Sequence, residues 1–371
     1  MTQVRIIADD LTGALDTAAQ FASADSAIPV FLNGRLPAHL PRAFAIDADT
    51  REKDSSGAAS VATRDAPLLA PRAGAIAFKK LDSLLRGHCG LELVATLRAA
   101  PVARCVIAPA FPFQGRVTRG GQQYAFRGAS WHRVGEDLRA TLESHGIAVR
   151  AARAGEPVLE GISLWDAETD DDLRRIADAG RKLSPPALWC GSGGLAAALA
   201  GGDVPVAGKP VRPILGIFGS DHPATTAQLG ACGEHVLKLK DGGGASAALV
   251  SARLEGSGVC LVAFDLPTGM ARFAASELIA REVAQLSRCV PPPRSLLIAG
   301  GETLRALCQS LATDHLDVIG QIMPGVPVSV MCGGRWDRVQ VTSKSGAFGQ
   351  DVLLRRLLGL DAAQRWASGA L

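Results

Sequence analysis

The chain has 371 residues, of which 47% are hydrophobic and only 5% aromatic, and its net charge is +3. That length exceeds one ordinary core and predicts about two domains, while bulk carried by Ala and Gly favours helices packed closely on sheets. The near balance of charge, with no long run of either sign, argues against nucleic-acid and membrane-surface roles and suits a small anionic ligand.

In chain order, the first strand-like run is "VRII", and Asp9 and Asp10 stand at its carboxyl end. A Thr12-Gly13 turn leads into a helix, from about Leu11, that carries Asp16. Helix capping accounts for one acid there but not for three. Paired carboxylates at a strand end can orient hydroxyls, accept a proton or hold Mg2+. "IPVFL" and "AFAID" follow, the second running into "DADTR" with Asp49 and Arg51. A polar helical stretch at 53–66 precedes "AIAFKKL". Next, "FKKLDSLLRGHCGLEL" gathers Lys80, Asp82, Ser83 and Arg86 at a strand-to-helix transition. A solvated loop is the plain alternative, but Lys supplies a point charge and Arg a planar fork where ligands bind. His88 reads as a polar loop residue rather than a metal ligand. In "APAFPFQGRVTRGGQQY", 108–124, Pro and Gly fix a loop from which Gln114, Arg116 and Thr118 project. It serves either packing or specificity. "GISLWDA", "DDLRRIADAGRKL" and "ALWCGS" continue the strand–helix alternation, and "CGSGGLAAALA" starts an Ala-rich helix.

The stretch "GGDVPVAGKPVRP", 201–213, lacks periodicity and reads as a linker. The pattern then restarts with "ILGIFGS", a helix from about Pro223, "HVLKLK", "CLVAFDL", a long helix near 271–288, "SLLIAGG" and a helix from Glu302. "VPVSVM" and "RVQVTSKSG" come last, with no helix between them. The expectation is an α/β protein of two lobes with mainly parallel sheets, 1–205 and 206–371, facing each other across a cleft that must close. Ligands bind beyond the carboxyl ends of such strands. Three small-residue turns of the second lobe, "GSDHPATTAQ", "AGGETL" and "TSKSGAFGQ", let the backbone approach phosphates and favour nucleotide binding over simple turns, although none fits the Walker or G-x-G-x-x-G pattern. Eight scattered cysteines without C-x-x-C spacing read as reduced, buried thiols of a cytoplasmic protein, and acids arrive before any signal-like apolar region.

Taken together and in order, "ADDLTGALDTA", "KKLDSLLRG", "APAFPFQGRVT", "FGSDHPATTAQ", "GGETL", "PGVPV" and "SKSGAFG" resemble the four-carbon acid sugar kinase family. The resemblance implies an ATP-dependent kinase acting on four-carbon sugar acids or their 3-oxo derivatives, with a sugar-acid domain first and an ATP domain second. It places Asp9, Asp10, Asp49, Arg51, Lys80, Asp82, Ser83 and Arg86 toward the sugar acid. Asp10, or else Asp9, would take the proton, while Arg86 and Lys80 would hold the carboxylate or the transferring phosphoryl group. Ser220, Gly300, Gly301, Glu302, Thr303, Lys344, Gly346 and Gly349 would face ATP, with Mg2+ bridging its phosphates and no metal ligand assigned. The sequence does not fix the oligomeric state, and a homodimer is one assembly it allows. The sequence departs from the family where "AFRGASWHRVGEDL" replaces a longer loop and where Thr50 stands for Ser, which leaves the exact substrate open. A kinase for a longer or branched sugar acid and a binding protein without transfer activity are the alternatives.

Overall fold

The apolar runs before the linker form a parallel sheet in the computed structural model, which describes residues 3–32, 36–202, 204–219, 222–267 and 269–360. The chain divides into two compact units, Met1–Val204 and Pro205–Leu371.

The sheet strands of the first unit are β1 (Gln3–Ala8), β2 (Ile28–Leu32), β3 (Phe44–Asp47), β4 (Ala75–Lys80), β5 (Arg104–Ala108), β9 (Val149–Arg153), β10 (Gly161–Asp166) and β11 (Leu188–Gly191). β6 (Arg116–Arg119), β7 (Gln122–Arg127) and β8 (Ser130–Arg133) form a separate antiparallel sheet. The helices are α1 (Leu11–Phe21), α2 (Ser55–Asp65), α3 (Cys89–Ala99), α4 (Leu138–Ser144), α5 (Asp170–Arg181) and α6 (Gly193–Ala200). Within this unit the parallel order is β2-β3-β1-β4-β11-β5-β10-β9. Its registers matter for function. Ala8 at the end of β1 lies level with Asp47 on one side and Lys80 on the other, so the residues that follow all three strands emerge together. Helix α1 buries Leu11, Ala14, Leu15, Ala18 and Ala19, the spacing of one helical face, and its alanines let it lie close on the sheet. Ile7, Ile46, Ala77, Leu93 and Ile107 belong to the core of this unit.

The second unit holds β12 (Ile214–Phe218), β13 (Val236–Leu239), β14 (Val259–Phe264), β15 (Ser295–Ala299), β16 (His315–Met323), β17 (Val326–Cys332) and β18 (Gln340–Lys344). Its helices are α7 (Pro223–Cys232), α8 (Gly244–Ser257), α9 (Arg272–Cys289), α10 (Gly301–Ser310) and α11 (Leu353–Leu357). β13-β14-β12-β15-β18 run parallel, and β17 and β16 continue the sheet antiparallel, which is why no helix is needed between β17 and β18. Ile214, Phe218, Leu261, Leu297, Val328 and Leu354 form its own apolar cluster.

The stretch 108–124, expected as a loop, is instead half hairpin. Gly120 and Gly121, at φ 57 and 75, make the tight turn between β6 and β7 that non-glycine residues resist. The replaced loop carries β8, where Trp131 packs against Phe126 with ring centroids 5.3 Å apart. All eight cysteines are free, and only Cys289 is exposed. No described helix is long and apolar enough to cross a membrane.

Candidate active site

Asp10 adopts extended backbone angles and caps α1. Its Oδ1 accepts the Gly13 N–H at 2.8 Å and its Oδ2 accepts Arg51 Nη1 at 2.5 Å, so both oxygens are engaged. Asp9 is buried. Its Oδ2 takes Arg51 Nε at 2.8 Å and Nη2 at 2.7 Å, whereas its Oδ1 is buried without a hydrogen-bond partner among the described residues. Arg51 also reaches Asp82 Oδ1 at 3.3 Å. The turn after β3 delivers Arg51 because the Thr50 and Arg51 N–H groups both bond to the Asp9 carbonyl, at 3.0 and 3.3 Å. Asp49 makes that turn at φ 54, and its carboxylate pairs with Lys53 at 3.8 Å.

Asp82 is held more fully. Arg86 Nε and Nη2 grip its two oxygens at 2.9 and 2.7 Å, and the backbone N–H groups of Leu84 and Arg86 add bonds at 3.2 and 3.1 Å. The Arg86 side chain is half exposed, while Lys80 is buried and donates from Nζ to the Leu81 carbonyl at 2.8 Å. The Ser83 hydroxyl accepts from Arg116.

These partners explain why two acids sharing Arg51 differ. Burial pushes the Asp9 carboxyl up, Arg51 and Lys80 oppose it, Asp10 and Asp82 add to it, and the balance lies at about 6. Burial would also raise Asp82, but the Arg86 fork and then Arg51 hold it far below the usual carboxylate range. Burial acts to lower Arg51, and the carboxylates of Asp9, Asp10 and Asp82 more than reverse this.

Two supports were not evident from sequence. Lys79 forms a buried ion pair with Glu92, whose other oxygen accepts the Thr50 hydroxyl at 2.7 Å, so α3 ties down the turn that carries Arg51. Gly13 leaves room for Lys80: a Cβ there would lie 3.0 Å from Lys80 Nζ. Neither has a linear signal, because the partners lie on different elements.

In the second unit the adjacent strands β12, β15 and β18 deliver the small-residue turns to one end of the sheet. Gly300, at φ 103, precedes α10 and brings no side chain to cap it. As the first residues of α10, Gly301, Glu302 and Thr303 have N–H groups with no carbonyl one turn back within the helix, and with no capping side chain they favour an anion. Gly219 runs so close to Thr303 that a Cβ would lie 2.3 Å from its Oγ1. Glu302 turns to Arg305 at 3.1 Å. Lys344 is buried, and its Nζ donates to the Ser345 and Phe348 carbonyls at 3.1 and 3.2 Å. Among the described residues it meets no carboxylate, and burial lowers it to about 8. The loop with Gly346 and Gly349 is pinned to α7, since Thr225 donates to the Gly346 carbonyl at 2.7 Å and Gln228 to those of Phe348 and Gly349 at 3.0 and 2.9 Å. These two helix residues were also missed, as their i, i+3 spacing reads equally as core. Ser220 lies outside the described residues.

Residues 4–139 match the family model of a sugar-binding N-terminal domain, and residues 215–354 that of a nucleotide-binding C-terminal domain. The chain is 30% identical to a D-threonate kinase of Bordetella bronchiseptica, over 95% of this chain and 96% of the relative. It is 31% identical to a D-threonate kinase of Cupriavidus necator, over 94% and 95%. A Salmonella typhimurium LT2 structure described as a putative tRNA synthase shares the fold, with a TM-score of 0.73 at 20% identity over 96% of this chain and 98% of that one.

Proposed function

Since the chain belongs to the four-carbon acid sugar kinase family, we propose that it transfers the γ-phosphoryl group of MgATP to a hydroxyl of a four-carbon sugar acid, with D-threonate the first substrate to test. The observation that carries this reading is Asp9 Oδ1, a buried carboxylate oxygen with no hydrogen-bond partner among the described residues, on an acid whose partner Arg51 fixes its position. An acceptor hydroxyl supplies that bond. Asp9 then takes its proton as the oxygen attacks the γ-phosphorus and the bond to the ADP oxygen breaks. Asp10, engaged as a helix cap and by Arg51, orients rather than accepts. Lys80 and Arg86, whose Nη1 makes no hydrogen bond among the described residues, are cations that can offset phosphoryl charge.

The phosphates of ATP lie against the α10 N-terminus and Lys344 in this reading, and Mg2+ enters with the nucleotide. Phosphoryl transfer asks mainly for positioning and charge stabilisation, which this set of groups supplies. Eight free thiols fit a reducing compartment, and the reading places the enzyme in the cytoplasm. ADP release measured with D-threonate, D-erythronate and five- and six-carbon sugar acids tests it. Turnover is expected to be fastest with a four-carbon acid. Faster turnover of a longer acid, or binding without ADP formation, would overturn the substrate or the activity respectively.

A further inference from the structure

Arg116 opens β6 and is anchored before it reaches anything else. Phe111 and Arg116 exchange backbone bonds at 2.8 and 3.1 Å across a short turn, and Gly115 closes that turn at φ 64. The half-buried guanidinium is held through a single nitrogen. Nη1 donates to the Ser83 hydroxyl and to Gln114 Oε1, the latter at 2.7 Å, and both acceptors are neutral. Nε and Nη2 donate to nothing among the described residues, and no described carboxylate lies within 4 Å. The neighbouring arginines differ. Arg51 is committed to three carboxylates, and Arg86 spends its Nε–Nη2 edge on Asp82. A half-buried cation with no carboxylate beside it among the described residues is costly to keep, and burial pulls Arg116 down to about 10 although the more distant Asp82 and Asp16 oppose it. The edge left open is the planar fork that matches a carboxylate with two parallel bonds.

We infer that Arg116 is the receptor for the substrate's carboxylate, its Nε–Nη2 edge taking both carboxylate oxygens while Ser83 and Gln114 act as positioning residues that aim it. The inference rests on the sugar-acid reading and deepens it by assigning opposite ends of the substrate: carboxylate at Arg116, reacting hydroxyl at Asp9. Arg86 is thereby released from the carboxylate.

The experiment compares the full-length protein with Arg116→Gln and Arg116→Lys, using D-threonate and its neutral amide, D-threonamide. Binding is read by calorimetry and turnover by ADP release. For Arg116→Gln the KM for D-threonate is expected to rise on the order of 100-fold, as for the loss of a charge-assisted pair. Its kcat should stay within about threefold, and the affinity for D-threonamide should not fall further. Arg116→Lys should recover part of the loss. An unchanged thermal shift with MgADP confirms that the variants are folded. An unchanged KM, equal losses for acid and amide, or a loss confined to kcat would each overturn the inference. If the protein binds D-threonate through Arg116 but forms no ADP, the anchor stands and the kinase reading fails. If it binds neither sugar acid nor amide, both fail.

Discussion

Asp9 and Asp10 share one arginine, and what separates them is what their remaining oxygens meet. Asp10 Oδ1 meets the Gly13 N–H, and Asp9 Oδ1 meets nothing among the described residues. Asp9→Asn should therefore lower kcat by roughly two to four orders of magnitude, the usual worth of a general base, with the KM for MgATP little changed. The same substitution should not lower the melting temperature at neutral pH. Asp9 sits at about 6, above its ordinary value, so between that value and 6 the folded chain holds the extra proton and stability falls as pH rises. A neutral amide removes that cost. A clear loss of stability in Asp9→Asn at neutral pH, with kcat intact, would make Asp9 structural. Gly13 is the second residue whose chemistry is spatial. A Cβ there would lie 2.7 Å from Asp10 Oδ1 and 3.0 Å from Lys80 Nζ. In an ordinary helix Gly→Ala gains up to about 1 kcal/mol. Here Gly13→Ala should cost about tenfold or more in kcat/KM through displaced Lys80, with the melting temperature nearly unchanged. Steady-state kinetics beside a thermal melt decides between the two.

At the scale of elements, the site depends on α3 as much as on the strands that carry its charges. Lys79 on β4 and Glu92 on α3 pair in the core, and Glu92 holds Thr50. Removing one partner of a buried pair costs about 3–5 kcal/mol, whereas replacing both by apolar groups is often neutral. Glu92→Leu should thus destabilise strongly, and Lys79→Met with Glu92→Leu should recover most of the stability. The double variant should still show a raised KM for the sugar acid, because Thr50 and hence Arg51 lose their tether. A double variant with normal KM would show that the tether does not position the site. Elements buried on both faces, such as β1, β4 and β12, were legible as apolar runs, and the charges at their ends were legible because charge right after such a run is conspicuous. Others left weaker traces. In β16, Gly320 at φ 143 and two register shifts break the alternation. Helix α8, "GASAALVSARLEGS", has too little contrast between its faces to announce itself. β6 is short and polar at both ends, so "RVTR" passes for loop. Arg116 could be singled out from sequence, but its neutral partners Ser83 and Gln114 come from different turns, and only tertiary contact shows that its fork is unused.

Across the whole molecule, one titrating group in each unit should frame the pH range of activity. The proposed mechanism needs Asp9 ionised and Lys344 protonated. Asp9 lies at about 6 and Lys344 at about 8, so kcat/KM should be bell-shaped with its maximum between them. For MgATP the alkaline limb reports Lys344 in the free enzyme. Bound phosphate stabilises the ammonium, so the alkaline limb of kcat should lie at higher pH than that of kcat/KM. Lys344→Arg, whose side chain stays charged throughout, should flatten the alkaline limb. Stability gives an independent check with the opposite sign. Burial holds Lys344 below its ordinary value, so from about 8 upward the unfolded chain binds more protons and stability rises with pH. Lys344→Met removes this dependence. Its advantage in melting temperature over the unaltered protein should therefore shrink between about pH 7 and about pH 10. A constant difference across that range would mean that Lys344 is not depressed, and an alkaline limb near 8 would then have to come from another group.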